Sequence, residues 1–183
     1  VDATKGVEPQ TRKIFYVCRK RHIPVLTFIN KMDRPALSPL ELLDEIEEVL
    51  GMQPVPMNFP VGDGVNFKGV YDRGRKGVYL YDRTERNERM SPEELYSIDT
   101  LLTTKKVHPA QIEKLQADLE LLDGLGIEYD HELMLAEEQT PVFFGSALTN
   151  FGVRLFLDEF VEMAPAPQPF ESSRGSIHPQ ESK

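Results

Sequence analysis

A short apolar stretch near the start of the chain leads directly into a cluster of polar residues. Residues 24–29 carry no charge and are rich in β-branched and aromatic side chains, which is typical of a strand buried on both faces of a parallel α/β sheet. Asn30, Lys31 and Asp33 follow at its end. Because ligands of open α/β sheets bind just beyond the carboxyl ends of the strands, the pattern predicts a binding site at these residues.

The same arrangement recurs near the other end of the chain. Residues 140–144 form a second short apolar stretch, and Gly145, Ser146 and Ala147 follow it, before Leu148. Small residues let the backbone approach a ligand closely, so that its N–H groups can donate hydrogen bonds. We expect the two strands to be neighbours in one sheet and their loops to form one site.

Apolar residues at helical spacing predict several helices around these strands. One begins at Pro9 and ends near Arg21. Another runs from about residue 39 to 50: the capping box Ser38-Pro39-Leu40-Glu41 marks its start, with Pro39 at the first helical position, and Gly51 ends it. Four more helices are predicted. One follows a cap at Ser91-Pro92-Glu93-Glu94, one runs from Pro109 to about Gly124, and a short one covers about 132–138. The last begins at Val153 and ends at Ala164-Pro165-Ala166-Pro167. The predicted apolar faces are Leu40, Leu43, Ile46 and Leu50; Leu95, Ile98, Leu101 and Leu102; Ile112, Leu115, Leu119 and Leu122; and Val153, Phe156, Leu157, Phe160 and Val161.

Residues 52–138 separate the two candidate strands by far more chain than a crossover in a compact α/β domain needs. Within them, residues 67–72 and 77–81 predict a hairpin around the basic turn Arg73-Gly74-Arg75-Lys76. We therefore interpret residues 52–138 as an αβ module inserted into the core.

The polar residues after the two strands suit a guanine base. An ionised Asp33 can accept from the ring N–H and the exocyclic amine of guanine, the Asn30 amide can donate and accept, and the Lys31 stem can lie along the base. Main-chain N–H groups of residues 145–147 can meet the guanine carbonyl. The alternative is that residues 30–33 are an ordinary surface turn after a strand.

Composition argues against other kinds of site. One cysteine, Cys18, and four scattered histidines offer no metal-ligand spacing and no nucleophilic triad, so no metal ligand and no catalytic residue is assigned. The chain has no apolar run of ~20 residues, the length that spans a membrane, and its single cysteine fits a reducing compartment. The net charge of −9 argues against extensive electrostatic binding of RNA.

Two motifs resemble the base-recognition motifs of the translational GTPases: Asn30-Lys31-Met32-Asp33 and Ser146-Ala147-Leu148. Residues 1–11 are similar to the segment after the fourth core strand of the ribosome-dependent members, in which Val1 and Asp2 would end a strand. Four segments look most like the bacterial class-II peptide-chain release factors (release factor three): residues 42–47, 56–60, 67–72 and 140–167. Elongation factor G is the nearest relative to exclude.

The resemblance covers residues 1–81 and 109–169 and is much less specific elsewhere. It implies an α/β fold that is the C-terminal part of a P-loop GTPase (G) domain with an inserted αβ subdomain. The implied division is a partial G domain at 1–51, the inserted subdomain at 52–138, the end of the G domain at 139–163, and a linker at 164–183 towards an absent β-barrel domain.

The resemblance also implies a ligand and partners. GTP or GDP would be the ligand, with magnesium expected only in the parent protein, and the guanine-binding residues would be Asn30, Lys31, Asp33, Ser146, Ala147 and Leu148. The parent would be a cytoplasmic GTPase that binds the ribosome and recycles the stop-codon-reading release factors, without a membrane or sequence-specific nucleic-acid partner. The basic turn at residues 73–76 is then either a soluble turn or a contact for ribosomal RNA or protein.

Two alternatives remain open at the level of sequence. The parent could be an elongation factor G-like GTPase. The chain could also be a non-catalytic α/β interaction domain in which the Asn-Lys-x-Asp motif is a coincidence. Preference for guanine over other bases distinguishes a GTPase from such a domain.

The phosphate-binding motifs of a GTPase do not occur in this sequence. It contains no G-x-x-x-x-G-K-[ST], and its one Asp-x-x-Gly, residues 123–126, follows a helical pattern. These motifs normally lie upstream of Asn-Lys-x-Asp. We therefore expect the chain to begin inside a domain and to hold the base end of a nucleotide site without its phosphate end.

The chain by itself should not hydrolyse GTP. Phosphoryl transfer depends on a phosphate loop and magnesium, which position the phosphates and stabilise the developing charge. Phosphate release by the purified 183-residue chain should equal that of a control in which Asp33 is changed. Hydrolysis above this control would show that the catalytic groups lie within the chain.

Overall fold

The computed structural model describes residues 1–80 and 94–166, and the backbone of residues 170–172 and 175–177. The helices in these residues are α1 (Pro9–Lys20), α2 (Pro39–Leu50), α3 (Ile98–Thr104), α4 (Pro109–Gly124), α5 (His131–Leu135) and α6 (Val153–Met163). The strands are β1 (Thr27–Ile29), β2 (Gln53–Pro56), β3 (Asn58–Val61), β4 (Gly69–Asp72), β5 (Gly77–Leu80), β6 (Leu95–Tyr96), β7 (Gln139–Phe144), β8 (Phe170–Ser172) and β9 (Gly175–Ile177).

The first sheet is parallel, with the strand order β1-β7-β2. β1 pairs with β7 from Thr27 opposite Val142 to Ile29 opposite Phe144, and all of β7 is buried. The prediction that these two strands are neighbours is confirmed. The buried hydroxyls of Thr27 and Thr140 share a hydrogen bond of 2.9 Å, and the Thr140 hydroxyl also donates to a backbone carbonyl.

The first residues of the chain lie along the other edge of β1. Asp2 and Asn30 form a parallel bridge. The Asn30 N–H donates to the Val1 carbonyl at 2.9 Å, and the Ala3 N–H donates to the Asn30 carbonyl at 2.8 Å. Residues 1–3 therefore pair with the edge of β1 in the parallel direction.

The second sheet is an antiparallel meander with the order β3-β4-β5-β6, and it includes the predicted hairpin of β4 and β5. Asn58, which is fully buried, joins the two sheets. Its Oδ1 accepts from the Phe144 N–H at 2.7 Å, and its Nδ2 donates to the Phe144 carbonyl at 3.2 Å. β2 lies within residues 52–138 but belongs to the same sheet as β1 and β7. The division of the chain at residue 51 remains a prediction.

The bounds of α2 agree with the prediction, but the predicted capping at its start and its predicted buried face are partly wrong. Gly51 ends the helix with φ of 63°, a left-handed conformation that suits glycine. The Ser38 side chain makes no capping hydrogen bond, so the predicted capping box does not form. Leu42 is buried together with Leu43, Ile46 and Leu50, whereas Leu40 is only half-buried.

An aromatic cluster joins α6 to the sheet. The Phe156 ring lies 5.2 Å from that of Phe28 and 5.3 Å from that of Phe143, between ring centroids. The predicted apolar face of α6 is partly wrong. Its buried residues are Leu155 and Met163, whereas three residues of the predicted face are exposed: Leu157, Phe160 and Val161.

The basic turn between β4 and β5 makes ion pairs with both neighbouring helices. Arg73 donates to Asp123 of α4 at 2.7 Å and to a backbone carbonyl. Arg75 donates to Asp72 at 2.7 Å and to Glu159 of α6 at 3.2 Å. Both guanidinium groups therefore hold the turn against the protein. This structural role competes with the predicted contact to ribosomal RNA or protein.

Two other regions differ from the predicted elements. Leu95 and Tyr96 form β6, and the following helix begins at Ile98, where the Ser97 side chain accepts from the Thr100 N–H. Of the predicted cap Ser91-Pro92-Glu93-Glu94, the first three residues lie outside the described residues. Within the predicted linker, residues 170–172 and 175–177 pair as an antiparallel hairpin.

A membrane-spanning helix is not found in the part of the chain that the structure describes, because each helix there is too short or too polar.

Replacement of Gly145 by alanine should destabilise the fold. A Cβ at this position would lie 2.6 Å from the Phe151 carbonyl oxygen and 2.7 Å from the Phe28 ring, and such overpacking costs about 1–3 kcal/mol. Gly124→Ala is the matched control. A Cβ there meets no atom within 4 Å, and the change in α4 should be neutral or stabilising by up to about 1 kcal/mol. Chemical denaturation of both variants measures this, and equal unfolding free energies would contradict the prediction.

Candidate functional site

The loops that follow β1 and β7 lie side by side at the carboxyl edge of the parallel sheet. The Gly145 N–H donates to the Ile29 carbonyl at 3.0 Å, and the Met32 N–H donates to the Gly145 carbonyl at 3.1 Å. Met32 is fully buried and anchors the first loop beneath the surface. The structure therefore brings together the predicted residues of both motifs.

Asn30 connects the two loops through its side chain. Its Oδ1 accepts from the Lys31 N–H at 2.7 Å and from the Ala147 N–H at 2.8 Å. Its Nδ2 makes no hydrogen bond to another described residue, and the side chain is half-buried. The acceptor end of this amide thus stabilises the site, and its donor end is available to a ligand.

Asp33 and Ser146 form the second side-chain link between the loops. The Ser146 hydroxyl donates to Asp33 Oδ1 at 2.5 Å, and Ser146 is fully buried. This bond fixes the orientation of the carboxylate at the edge of the sheet. The other oxygen, Oδ2, has no hydrogen-bond donor among the described residues and can accept from a ligand.

Lys31 lies between the first loop and the start of the chain. Its backbone has φ of 74°, which is uncommon for a residue with a side chain. Its ammonium group donates to Asp2 Oδ2 at 2.5 Å. That hydrogen bond holds the pKa of the Asp2 carboxyl well below its usual range.

Sequence reasoning missed Asp2 as part of this site. The only local signal is the spacing Asp2-x-Thr4, since an aspartate can accept from the backbone two residues on. The structure shows such bonds, from the Thr4 N–H at 2.8 Å and the Thr4 hydroxyl at 2.7 Å. The contact with Lys31 depends on residues 1–3 pairing beside β1, which the spacing alone does not show.

The backbone of the second loop differs from the prediction. The N–H groups of residues 145–147 were expected to be available to a ligand, but all three make internal hydrogen bonds: Gly145 to Ile29, Ser146 to Phe151, and Ala147 to Asn30. Of the N–H groups in residues 145–148, the Leu148 N–H is the one without a partner in the described chain. The Leu148 side chain is 79% exposed and does not contribute to packing.

The resulting edge combines acceptors, donors and one cation. Asp33 offers a carboxylate oxygen, Asn30 and Leu148 offer N–H groups, and Lys31 offers a long stem with its ammonium group fixed. This set can recognise a planar base that carries neighbouring donors on one side and acceptors on the other. Within the described residues there is no group of three or more His, Cys, Asp or Glu that could hold a metal ion.

Residues 1–166 match the family described as "Elongation factor Tu GTP binding domain". This match covers both loops and the elements between them.

Curated relatives include the "Peptide chain release factor 3" of three cyanobacteria. The identity is 48% with the protein of Synechococcus elongatus, over 97% of this chain and 32% of that protein. It is 48% with that of Nostoc punctiforme, over 98% and 33%, and 47% with that of Gloeobacter violaceus, over 98% and 34%. The chain thus spans about a third of the length of these relatives.

A solved structure of a protein from Thermus thermophilus has a similar fold. It aligns with a TM-score of 0.60 over 92% of this chain and 27% of that protein, at 23% identity. The predicted α/β class and the resemblance to translational GTPases of the release factor three type are confirmed by these matches and by the parallel sheet. The chain belongs to the elongation factor Tu GTP-binding domain family.

Proposed function

We propose that the two loops bind the guanine base of GTP or GDP. The observation that carries this proposal is that side-chain hydrogen bonds join the two loops, one from the Ala147 N–H to Asn30 and one from Ser146 to Asp33. These bonds fix the Asp33 carboxylate and the Asn30 amide before any ligand binds. Such preorganisation reduces the free energy that a ligand must supply to order its site.

Each residue has a distinct part in this proposal. The Asp33 carboxylate accepts from the ring N–H and the exocyclic amine of guanine, in a charge-assisted pair of hydrogen bonds. Asn30 Nδ2 donates to the acceptor side of the base, and the Lys31 stem covers one face. The guanine carbonyl accepts from the loop of residues 146–148, where the Leu148 N–H has no internal partner in the described chain.

The parent protein is proposed to be a ribosome-dependent GTPase that recycles the stop-codon-reading release factors. The names of the curated relatives support this activity over that of elongation factor G. Family membership disfavours a non-catalytic interaction domain with a coincidental motif. In this proposal the protein acts in the cytoplasm, and the groups that bind magnesium and the phosphates lie outside the two loops.

Asp33→Asn in the intact protein should exchange the base preference. The new amide places a donor where guanine also presents a donor, and an unpaired buried donor costs about 1–3 kcal/mol. Xanthine carries a carbonyl in place of the guanine amine and can accept from that amide. Titration with GDP and with xanthosine diphosphate should show weaker binding of the first and stronger binding of the second.

Asp44→Asn, on the exposed face of α2, removes the same charge away from the site and is the matched control. It should change neither affinity. Equal losses for both bases in Asp33→Asn would mean that Asp33 is structural, and the assignment of a guanine site would then be wrong.

Asn30 should separate the stability of the site from its binding function. Asn30→Asp keeps the oxygen that accepts from Lys31 and Ala147 but loses the Nδ2 donor, so GDP binding should weaken while the unfolding free energy changes little. Asn30→Ala leaves both N–H groups without their acceptor, which costs about 1–3 kcal/mol in stability as well. Thermal unfolding without nucleotide and GDP titration measure the two effects. If Asn30→Asp bound GDP like the wild type, Nδ2 would have no part in recognition.

A further inference from the structure

We propose that Asp2 is a positioning residue for nucleotide binding, because it fixes the ammonium group of Lys31 and so holds the lysine stem in place against the base. This inference rests on the proposed guanine site. The side chain of Asp2 makes its hydrogen bonds to Thr4 and Lys31, so in this proposal it acts on the base only through Lys31.

The geometry of Asp2 is that of a fixed acceptor. Its side chain is 5% exposed. One carboxylate oxygen, Oδ1, accepts from the N–H and the hydroxyl of Thr4, and the other, Oδ2, accepts from Lys31. With both oxygens bonded from different directions, the carboxylate has little freedom to follow a moving lysine.

Lys31 needs such a partner more than the neighbouring site residues do. Its side chain is 39% exposed, and a lysine has four rotatable bonds whose freedom is lost when the stem is ordered. Its backbone is already fixed by the N–H bond to Asn30. The ion pair with Asp2 fixes the far end, so both ends of the stem are held before a ligand arrives.

The loop that carries Asp2 is itself anchored by α2. The Val7 N–H donates to Glu45 Oε1 at 3.1 Å. Gly6, with φ of 75°, lies so close to the same carboxylate that a Cβ would overlap it. Glu45, although it belongs to a run of acidic residues in α2, packs against this loop. The position of Asp2 therefore depends on contacts with the folded core.

The charge state of Asp2 suits this role. Hydrogen bonds from Lys31 and Thr4 outweigh burial and lower the pKa of the Asp2 carboxyl. The carboxylate is therefore ionised at neutral pH, and its contribution to stability would be lost only as the pH falls below the range of an ordinary aspartate.

The test is a double-mutant cycle in the intact protein, with the affinity for GDP as the measurement. Asp2→Asn keeps an oxygen that can accept from Thr4 but removes the charge beside Lys31. It should weaken GDP binding roughly 5- to 30-fold. If Asp2 acts through Lys31, the same change in a Lys31→Ala background should have no further effect, since residues that act as one unit are not additive.

A purely structural role for Asp2 predicts a different result. In that case the losses caused by Asp2→Asn and Lys31→Ala would multiply in the double variant, which would overturn the proposal, as would unchanged GDP affinity in Asp2→Asn. Asp44→Asn is the matched control for removal of one acidic charge from the exposed surface. It should leave GDP affinity unchanged.

Two further measurements keep the outcome decisive. If Asp2→Asn does not fold, Thr4→Val replaces it in the cycle, because this change removes the hydroxyl that orients Asp2 and keeps the charge. It should weaken GDP binding only where Lys31 is present. The base preference of Asp33→Asn is measured in the same series. An exchanged preference with unaffected binding in Asp2→Asn would overturn the role of Asp2 alone, whereas an unexchanged preference would count against the guanine site itself.

Discussion

The parallel pairing of β1 with β7 brings two loops that are distant in sequence to one edge of the sheet. Each loop begins where its strand ends, so the register of the strands sets the spacing of the loops. The backbone bonds between Gly145 and its neighbours in β1 and the first loop then fix that spacing. Every side-chain contact of the candidate site depends on this pairing, because none of the loops contains a regular element of its own.

The site is stabilised mainly by hydrogen bonds within it. The Asn30 amide and the Ser146 hydroxyl each join the two loops, and Asp2 joins the first loop to the start of the chain. In a partly buried setting such bonds are costly to leave unmade. The structure therefore holds most of the polar groups of the two loops in place without a ligand.

The main features of this arrangement can be predicted from sequence because they are local. An uncharged apolar run that stops at Asn30, and a second that stops at Gly145, identify both strands and both loops. Contacts between distant segments cannot be predicted in the same way. The role of Asp2 follows from pairing beside β1, and the ion pairs of Arg73 and Arg75 follow from the docking of α4 and α6. The partners of Asp2, Arg73 and Arg75 cannot be identified from the spacing of charges along the sequence.

Helix faces show a second limit of sequence patterns. Spacing identifies an apolar stripe, but a helix with adjacent apolar residues offers more than one stripe, and packing selects among them. In α2 the packing buries Leu42 and leaves Leu40 partly exposed. In α6 it selects Leu155 and leaves Leu157 and Val161 exposed. The Ser38 cap fails for a related reason, since its sequence pattern does not fix the side-chain direction that a capping bond requires.

The hydroxyl pair of Thr27 and Thr140 has a consequence for folding fidelity. These side chains satisfy each other inside the sheet, at the end opposite to the loops. A shift of β1 along β7 by one residue would turn alternate side chains to the other face and break the hydrogen bond between the two buried hydroxyls. A shifted register of β1 and β7 is therefore less stable than the native one, and the native register also aligns the two loops at the other end of the sheet. The two threonines thus favour the strand register on which the candidate site depends, although they lie at the opposite end of the sheet from its loops.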